Sequence, residues 1–496
     1  MTVERRHVLA AARAALSRLP FVVLLVLAVV ALATAIMLMC RYERQRRAAT
    51  GASTPERAAV AYGDELPATG RFTKDVTYTC IDAPGREVTT PVTWDDSWFF
   101  GSTYAYQHEL ARTSSVLAAL AYAESSHYQE EYQTPPYMEQ ALEQLGFNEV
   151  STDSYAYRSE VIDQVLNLVT QQEDTVAYTL ARKRVTGEDG ATRSVILVSI
   201  RGSYGSEWLS NLKVEAAEQG VGGNQTERSG EDDAAAQDDA STQDHSALPR
   251  YDHAGYVEAA AEVGEALAPW IADSHDRGDA VTLLLVGHSR GGAIANLLAA
   301  TADDELARQA GQEQADATGQ NAQQTVSTGV LGLASGDAVA GYTFAAPACT
   351  TTAQPGAARY RNIFNIANPA DLMPSLPLAS WGYARYGVDV DLPAVDDEAF
   401  GTQFARMEAR YAELTGGEDP YDPEAVHAVR SVLGEVAGQI RTVDELKTPA
   451  GVATVLHACA RHIDPLRILC GHYPSVYISW MYALDANELQ MAGQSE

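Results

Sequence analysis

Thr282-Leu283-Leu284-Leu285-Val286-Gly287-His288-Ser289-Arg290-Gly291-Gly292-Ala293-Ile294-Ala295-Asn296-Leu297-Leu298 is the stretch whose reading decides the fold. It opens with a short apolar run that reads as a buried strand, turns sharply at Gly-His-Ser-Arg-Gly-Gly, and continues as an Ala/Leu-rich helix. A G-x-S-x-G pattern alone is a common coincidence. Between a strand and a helix it is the signature of a nucleophile elbow. Gly287 and Gly291 are then needed because a side chain two residues either way would collide with the turn. The amides that open the following helix also favour an oxyanion, since unpaired N–H groups and the helix dipole point there.

Outward from the elbow, strands and helices alternate. Residues 175–183 and 194–200 read as strands separated by Gly187-Glu188-Asp189-Gly190, and residues 254–275 read as the helix before the nucleophile strand. Residues 338–344 and 360–368 read as later strands. Apolar spacing predicts helices over 104–124, 136–145, 161–169, 402–414 and 424–439. This alternation implies a mostly parallel, helix-covered sheet, an α/β architecture. Two polar stretches, 219–248 and 302–337, lack a core pattern and read as disordered insertions. The folded part is expected from Val76, after a tether over 41–75.

The chain has 496 residues, enough for a large core at 46% hydrophobic content. It carries 35 Lys and Arg against 66 Asp and Glu, a net charge of −31. So acidic a surface repels nucleic acid, and no basic patch with interleaved aromatics appears. Residues 19–40 are almost wholly apolar and long enough to span a bilayer, which takes about 20 residues. They read as an uncleaved single membrane anchor behind a basic segment, 1–18. Arg5, Arg6, Arg13 and Arg18 precede the span and Arg41, Arg44, Arg46 and Arg47 follow it, so the positive-inside count is a tie. Cys80, Cys349, Cys459 and Cys470 are compatible with two disulfides outside the cell, or with thiols in a reducing compartment. The expectation is a single-pass cell-membrane protein with its catalytic part outside the cytoplasm.

Further segments match a known pattern in order. They are Val198-Ser199-Ile200-Arg201-Gly202-Ser203 with Trp208 and Asn211-Leu212, then the elbow, then Tyr342-Thr343-Phe344-Ala345-Ala346-Pro347. Asn365-Ile366-Ala367-Asn368-Pro369-Ala370-Asp371 follows, running to Leu376-Pro377, and His472-Tyr473-Pro474-Ser475-Val476-Tyr477 closes the series. Together they resemble the class 3 lipase family, triacylglycerol-lipase-like α/β hydrolases, over about residues 100–485 apart from the insertions. The resemblance implies the α/β-hydrolase fold and a carboxylic ester hydrolase acting on lipid or other acyl esters, without a cofactor. The sequence departs from the family at Arg290, where an apolar residue is usual, and at Ala345, usually Gly.

The chemistry explains why these residues should converge. A serine hydroxyl needs a base to remove its proton during attack. A histidine does this near neutral pH, with a buried carboxylate to orient its ring and stabilise the imidazolium. The order Ser289, Asp371, His472 is that of α/β hydrolases. Asp371 directly follows a strand, whereas its rivals Asp389 and Asp391 sit in alternating, strand-like sequence. Among the late histidines, His457 lies on an apolar helical stretch and His462 in a turn-like segment, while His472 begins a loop. The oxyanion hole takes the Arg290 amide by fold geometry, and the resemblance adds Ser203, through its amide and its hydroxyl. No metal-ligand spacing occurs among the histidines and cysteines. An amidase, peptidase or acyltransferase would use the same three residues, and a non-catalytic membrane protein on this fold would need none of them.

Overall fold

The computed structural model describes residues 69–81, 86–129, 134–157, 176–203, 216–219, 250–317, 330–417, 422–442, 445, 448–462 and 470–491. All of these belong to one compact unit, Ala59–Arg158 with Asp174–Glu496. The anchor at 19–40, the helix expected over 161–169, and Trp208, Asn211 and Leu212 lie outside the described residues. Among the described residues no helix is long and apolar enough to cross a membrane.

Chain order begins with the hairpin β1 (Arg71–Thr79) and β2 (Glu87–Asp95), then helices α1 (His108–Gln129) and α2 (Tyr137–Gln144). Strands β3 (Glu149–Ser151), β4 (Tyr178–Thr186), β5 (Thr192–Ile200), β6 (Ala216–Gln219) and β7 (Arg250–His253) follow. Next come α3 (Ala254–Asp276), β8 (Ala280–His288), α4 (Arg290–Ala317), β9 (Ala338–Phe344), β10 (Ile363–Ala367) and β11 (Val388–Asp391). Helices α5 (Phe400–Thr415), α6 (Ala425–Gln439), α7 (Pro449–His462) and α8 (Pro474–Ala483) precede β12 (Gln490–Met491).

The central sheet has eight strands in the order β12-β11-β10-β9-β8-β5-β4-β3. From β5 through β8, β9 and β10 to β11 every pairing is parallel. β4, β3 and β12 add antiparallel edges. β8 lies inside the parallel run, between β9 and β5, and its side chains alternate between two cores. Leu284 and Val286 pack on one face with residues of α1 and α8, while Val281, Leu283 and Leu285 pack on the other with α3 and α4. A strand buried on both faces reads as a continuous apolar run, which is why 282–286 contains no polar alternation.

Three expected boundaries move. The fold begins at Arg71 rather than Val76, because Arg71–Asp75 pairs with Pro91–Asp95 across the hairpin. That segment is polar because its outer side faces water, so backbone pairing rather than burial keeps it in register. The supposed insertion from 302 is, as far as Ala317, a continuation of α4. Its Ala, Leu, Glu, Gln and Arg residues favour helix, and Ala302 and Glu305 are buried against the body. The strand expected at 360–368 shrinks to Ile363–Ala367, after a 3-10 turn at Ala358–Tyr360.

Candidate active site

β8 ends at His288 and α4 starts at Arg290, which leaves Ser289 alone in the turn with φ of 56°. A non-glycine residue there is strained and persists only when its surroundings over-determine it. The surroundings are specific. A Cβ at position 287 would stand 2.3 Å from the Gly291 carbonyl oxygen, and one at 291 would stand 2.2 Å from that of Ile200. The Ser289 amide donates to the Phe344 carbonyl at 2.8 Å, which binds the elbow to the end of β9. The residue after Phe344, Ala345, also has positive φ, 53°. Glycine would hold this backbone conformation without the strain that the Ala345 Cβ brings.

His472 sits in the short loop before α8. Its Nε2 lies 2.9 Å from Ser289 Oγ and its Nδ1 2.8 Å from Asp371 Oδ2. A carboxylate only accepts, so Nδ1 carries the proton and Nε2 is left to accept from the serine hydroxyl. Asp371 follows β10 by four residues and its side chain is fully buried. Tyr477 Oη donates to Oδ2 at 2.8 Å, and the Met373 amide donates to Oδ1 at 2.9 Å. The carboxylate is thereby held from three directions. The two loops are also joined directly, since Asn368 Nδ2 donates to the Gly471 carbonyl at 3.0 Å and the Asn368 amide donates to Tyr477 Oη.

The loop carrying Ser203 leaves the end of β5 beside the elbow. A Cβ at Gly202 would meet the His288 carbonyl oxygen at 2.4 Å and Ser289 Cβ at 3.0 Å, so only glycine allows this approach. Arg290 occupies the first turn of α4, where backbone amides point outward. Ser203 and Arg290 therefore flank the nucleophile from two different elements.

The rival candidates stand elsewhere. Asp389 is engaged by Arg385 through two hydrogen bonds of 2.9 Å and by Asn365 Nδ2. Asp391 is on the same strand, and burial raises its carboxyl above the usual range. His462 ends α7 rather than lying in a turn, and its Nε2 pairs with Glu435 Oε2 of α6 at 2.8 Å. His457 is exposed on α7. Among the described residues, Cys80, Cys349 and Cys470 are not joined in disulfides.

Several supporting residues had no motif to mark them. Arg385 is a buried guanidinium whose Nη1 donates to the carbonyls of Ala346 and Pro374, holding the loops after β9 and Asp371 together. Tyr122, from α1, hydrogen-bonds His288, which in turn reaches the His472 backbone. His288 lies inside the quoted motif, but its apolar setting gives no hint of a partner 184 residues away.

Residues 197–381 match the family model described as Lipase (class 3). No curated protein matches the chain in sequence. Solved structures with a similar chain trace include a Rhizomucor miehei lipase in complex with its propeptide. That structure is 17% identical with a TM-score of 0.34, over 58% of this chain and 70% of that one. A lipase from Rhizopus microsporus var. chinensis is 14% identical with a TM-score of 0.28, over 68% and 84% of the two chains. The matched segment, which carries the elbow, Ser203, Arg290 and Asp371, is thus similar to the class 3 lipases.

Proposed function

We propose that the chain is a serine hydrolase that cleaves lipid or other acyl esters through Ser289, His472 and Asp371. The observation that carries this is the continuous hydrogen-bond chain from Ser289 Oγ through the His472 ring to Asp371, with the serine on a strained elbow. As Oγ attacks the ester carbonyl, its proton passes to His472 Nε2, and Asp371 stabilises the imidazolium. The oxyanion that develops is met by the amides of Arg290 and Ser203, which matter because they act where charge appears only in the transition state. Collapse of the tetrahedral intermediate returns the proton from Nε2 to the departing alcohol and leaves an acyl-serine. Water, deprotonated by the same nitrogen, then releases the acid. Residues 19–40 are proposed to anchor this unit to the membrane with the catalytic part outside the cytoplasm, the apolar length of that stretch being the support.

The test is labelling by a fluorophosphonate probe, followed by turnover of p-nitrophenyl esters of rising chain length. Ser289→Ala is expected to lower kcat by about 10⁶ while thermal unfolding stays near wild type. Retained esterase activity in that variant would overturn the assignment. Turnover of anilides in preference to esters would replace the substrate class with amides. Protease shaving of intact cells reads the topology, and a fully protected domain would reverse the orientation.

A further inference from the structure

We propose that His288 and Tyr122 form a strut that positions the catalytic base, an inference resting on the assignment of His472 to that role. His288 is the last residue of β8 and is 2% exposed. Its Nε2 lies 2.9 Å from the His472 carbonyl oxygen, and its Nδ1 lies 2.9 Å from Tyr122 Oη. A carbonyl oxygen only accepts, so Nε2 carries the proton. In a neutral ring Nδ1 is then the acceptor, and the Tyr122 hydroxyl is its donor. Both ring nitrogens are committed, and their partners choose the tautomer. Burial, and the His472 ring at 4.8 Å, favour the neutral ring.

The strut reaches three parts of the site. It is continuous with the backbone of the nucleophile, since His288 precedes Ser289. It holds the main chain from which the His472 ring hangs, whereas Asp371 holds only the ring itself, at Nδ1. It also abuts the oxyanion loop, because a Cβ at Gly202 would stand 2.2 Å from Tyr122 Oη. A single hydroxyl on α1 therefore registers the serine, the histidine and the Ser203 loop against one another. The neutrality of His288 serves the reaction as well. A second imidazolium beside His472 would oppose the charge that His472 acquires in the transition state. Neither Tyr122 nor His288 touches the reacting atoms, so both are positioning residues.

The test compares His288→Leu, His288→Gln and Tyr122→Phe in ester hydrolysis and in the rate of fluorophosphonate labelling. His288→Leu keeps the bulk and removes both hydrogen bonds. Its kcat is expected to fall roughly 10- to 100-fold with KM within about twofold, because misplacement of a reacting group costs that much without altering substrate binding. Labelling should slow in proportion. His288→Gln retains an N–H near the position of Nε2 and is expected to recover kcat to within about threefold of wild type. Tyr122→Phe should lose roughly 3- to 10-fold, and adding it to His288→Leu should cost nothing more, since the strut is already gone. Wild-type kcat in His288→Leu would overturn the proposal. So would a His288→Gln variant as slow as His288→Leu, or additive losses in the double variant. If His288→Leu does not fold, the other two variants decide. Ser289→Ala is assayed alongside, because activity in that variant rejects the serine mechanism itself rather than the strut.

Discussion

Ser289 and Ala345 are neighbours across the Ser289–Phe344 hydrogen bond, and both hold positive φ. Conformations of this kind cost about 1–3 kcal/mol each for residues with a Cβ, so strain is concentrated where the nucleophile is displayed. A different expense is stored at Asp303 on α4, which is 4% exposed. Its Oδ1 accepts from Asn362 Nδ2 at 2.9 Å, while Asp303 Oδ2 and Asn362 Oδ1 have no partner among the described residues. Burial first, and repulsion from Asp304 second, push the Asp303 carboxyl well above the usual range; the Asn362 hydrogen bond and Arg359 pull the other way. A group with a raised folded-state pKa contributes stability that is complete below its unfolded pKa, near 3.9, and is lost as pH rises through the folded value. Asp303→Asn removes that loss and supplies an N–H where Oδ2 stood. The variant is expected to melt at the same temperature as wild type near pH 4 and above it at pH 8. A melting difference that stays constant across that range would exclude ionisation of Asp303 as the source. At this scale Ser289, Asp371 and His472 could be singled out because each sits in a local motif, and the structure places His472 within hydrogen-bonding distance of the other two. Tyr122 was not, since a contact across 166 residues leaves no local trace.

Two glycines on α4 show how an element's surroundings set the sign of one substitution. A methyl at Gly291 would press on the Ile200 backbone, which cannot rotate away, whereas one at Gly311 would meet nothing within 4 Å. Gly291→Ala is expected to cost about 3 kcal/mol in urea unfolding, at the top of the range for overpacking, and to abolish probe labelling as the elbow shifts. Gly311→Ala should instead stabilise by about 0.5–1 kcal/mol, the helix-propensity difference. The central strands and the helices α3 and α5 were legible from apolar period, because those strands are buried on both faces and those helices have well-marked apolar spacing, whereas β2, β3 and β7 were not. Their ends were less so. Polar composition at 302–317 suggested a loop, yet good helix formers on a solvated face are polar too, and only the buried Ala302 and Glu305 distinguish the two cases. His462 was misplaced for a similar reason, since Pro465 marks the end of a helix without saying how near that end lies.

At the scale of the whole molecule, a buried ion pair ties the turn directly after the hairpin β1–β2 to the sheet. Lys183 of β4 is 1% exposed, pairs with Asp96 at 3.0 Å, donates to the Leu145 carbonyl and lies about 5 Å from the rings of Phe72 and Trp94. Asp96 also accepts from Trp94 Nε1 and from the Gly70 amide at the start of the fold. Lys183→Met would leave a carboxylate buried with those two donors alone. Its expected cost is about 3 kcal/mol in urea unfolding, the lower end for breaking a buried pair, with early proteolysis of the hairpin. A loss below about 1 kcal/mol would show that the Met side chain and the two donors suffice. None of this was legible in the sequence, where Lys183 reads as an ordinary strand lysine.

His472 comes 183 residues after the serine it serves, with α5, α6 and α7 between them. During synthesis the elbow and the oxyanion loop therefore emerge long before the base. A nascent chain that has completed the strands around Ser289 holds a hydroxyl without the His472 ring beside it. Under the proposed mechanism, activity begins only once α8 docks and Tyr477 reaches Asp371. Chains arrested after residue 462 are expected to remain unlabelled by the probe. Under that mechanism, separation along the sequence delays the chemistry until the molecule that contains it is assembled.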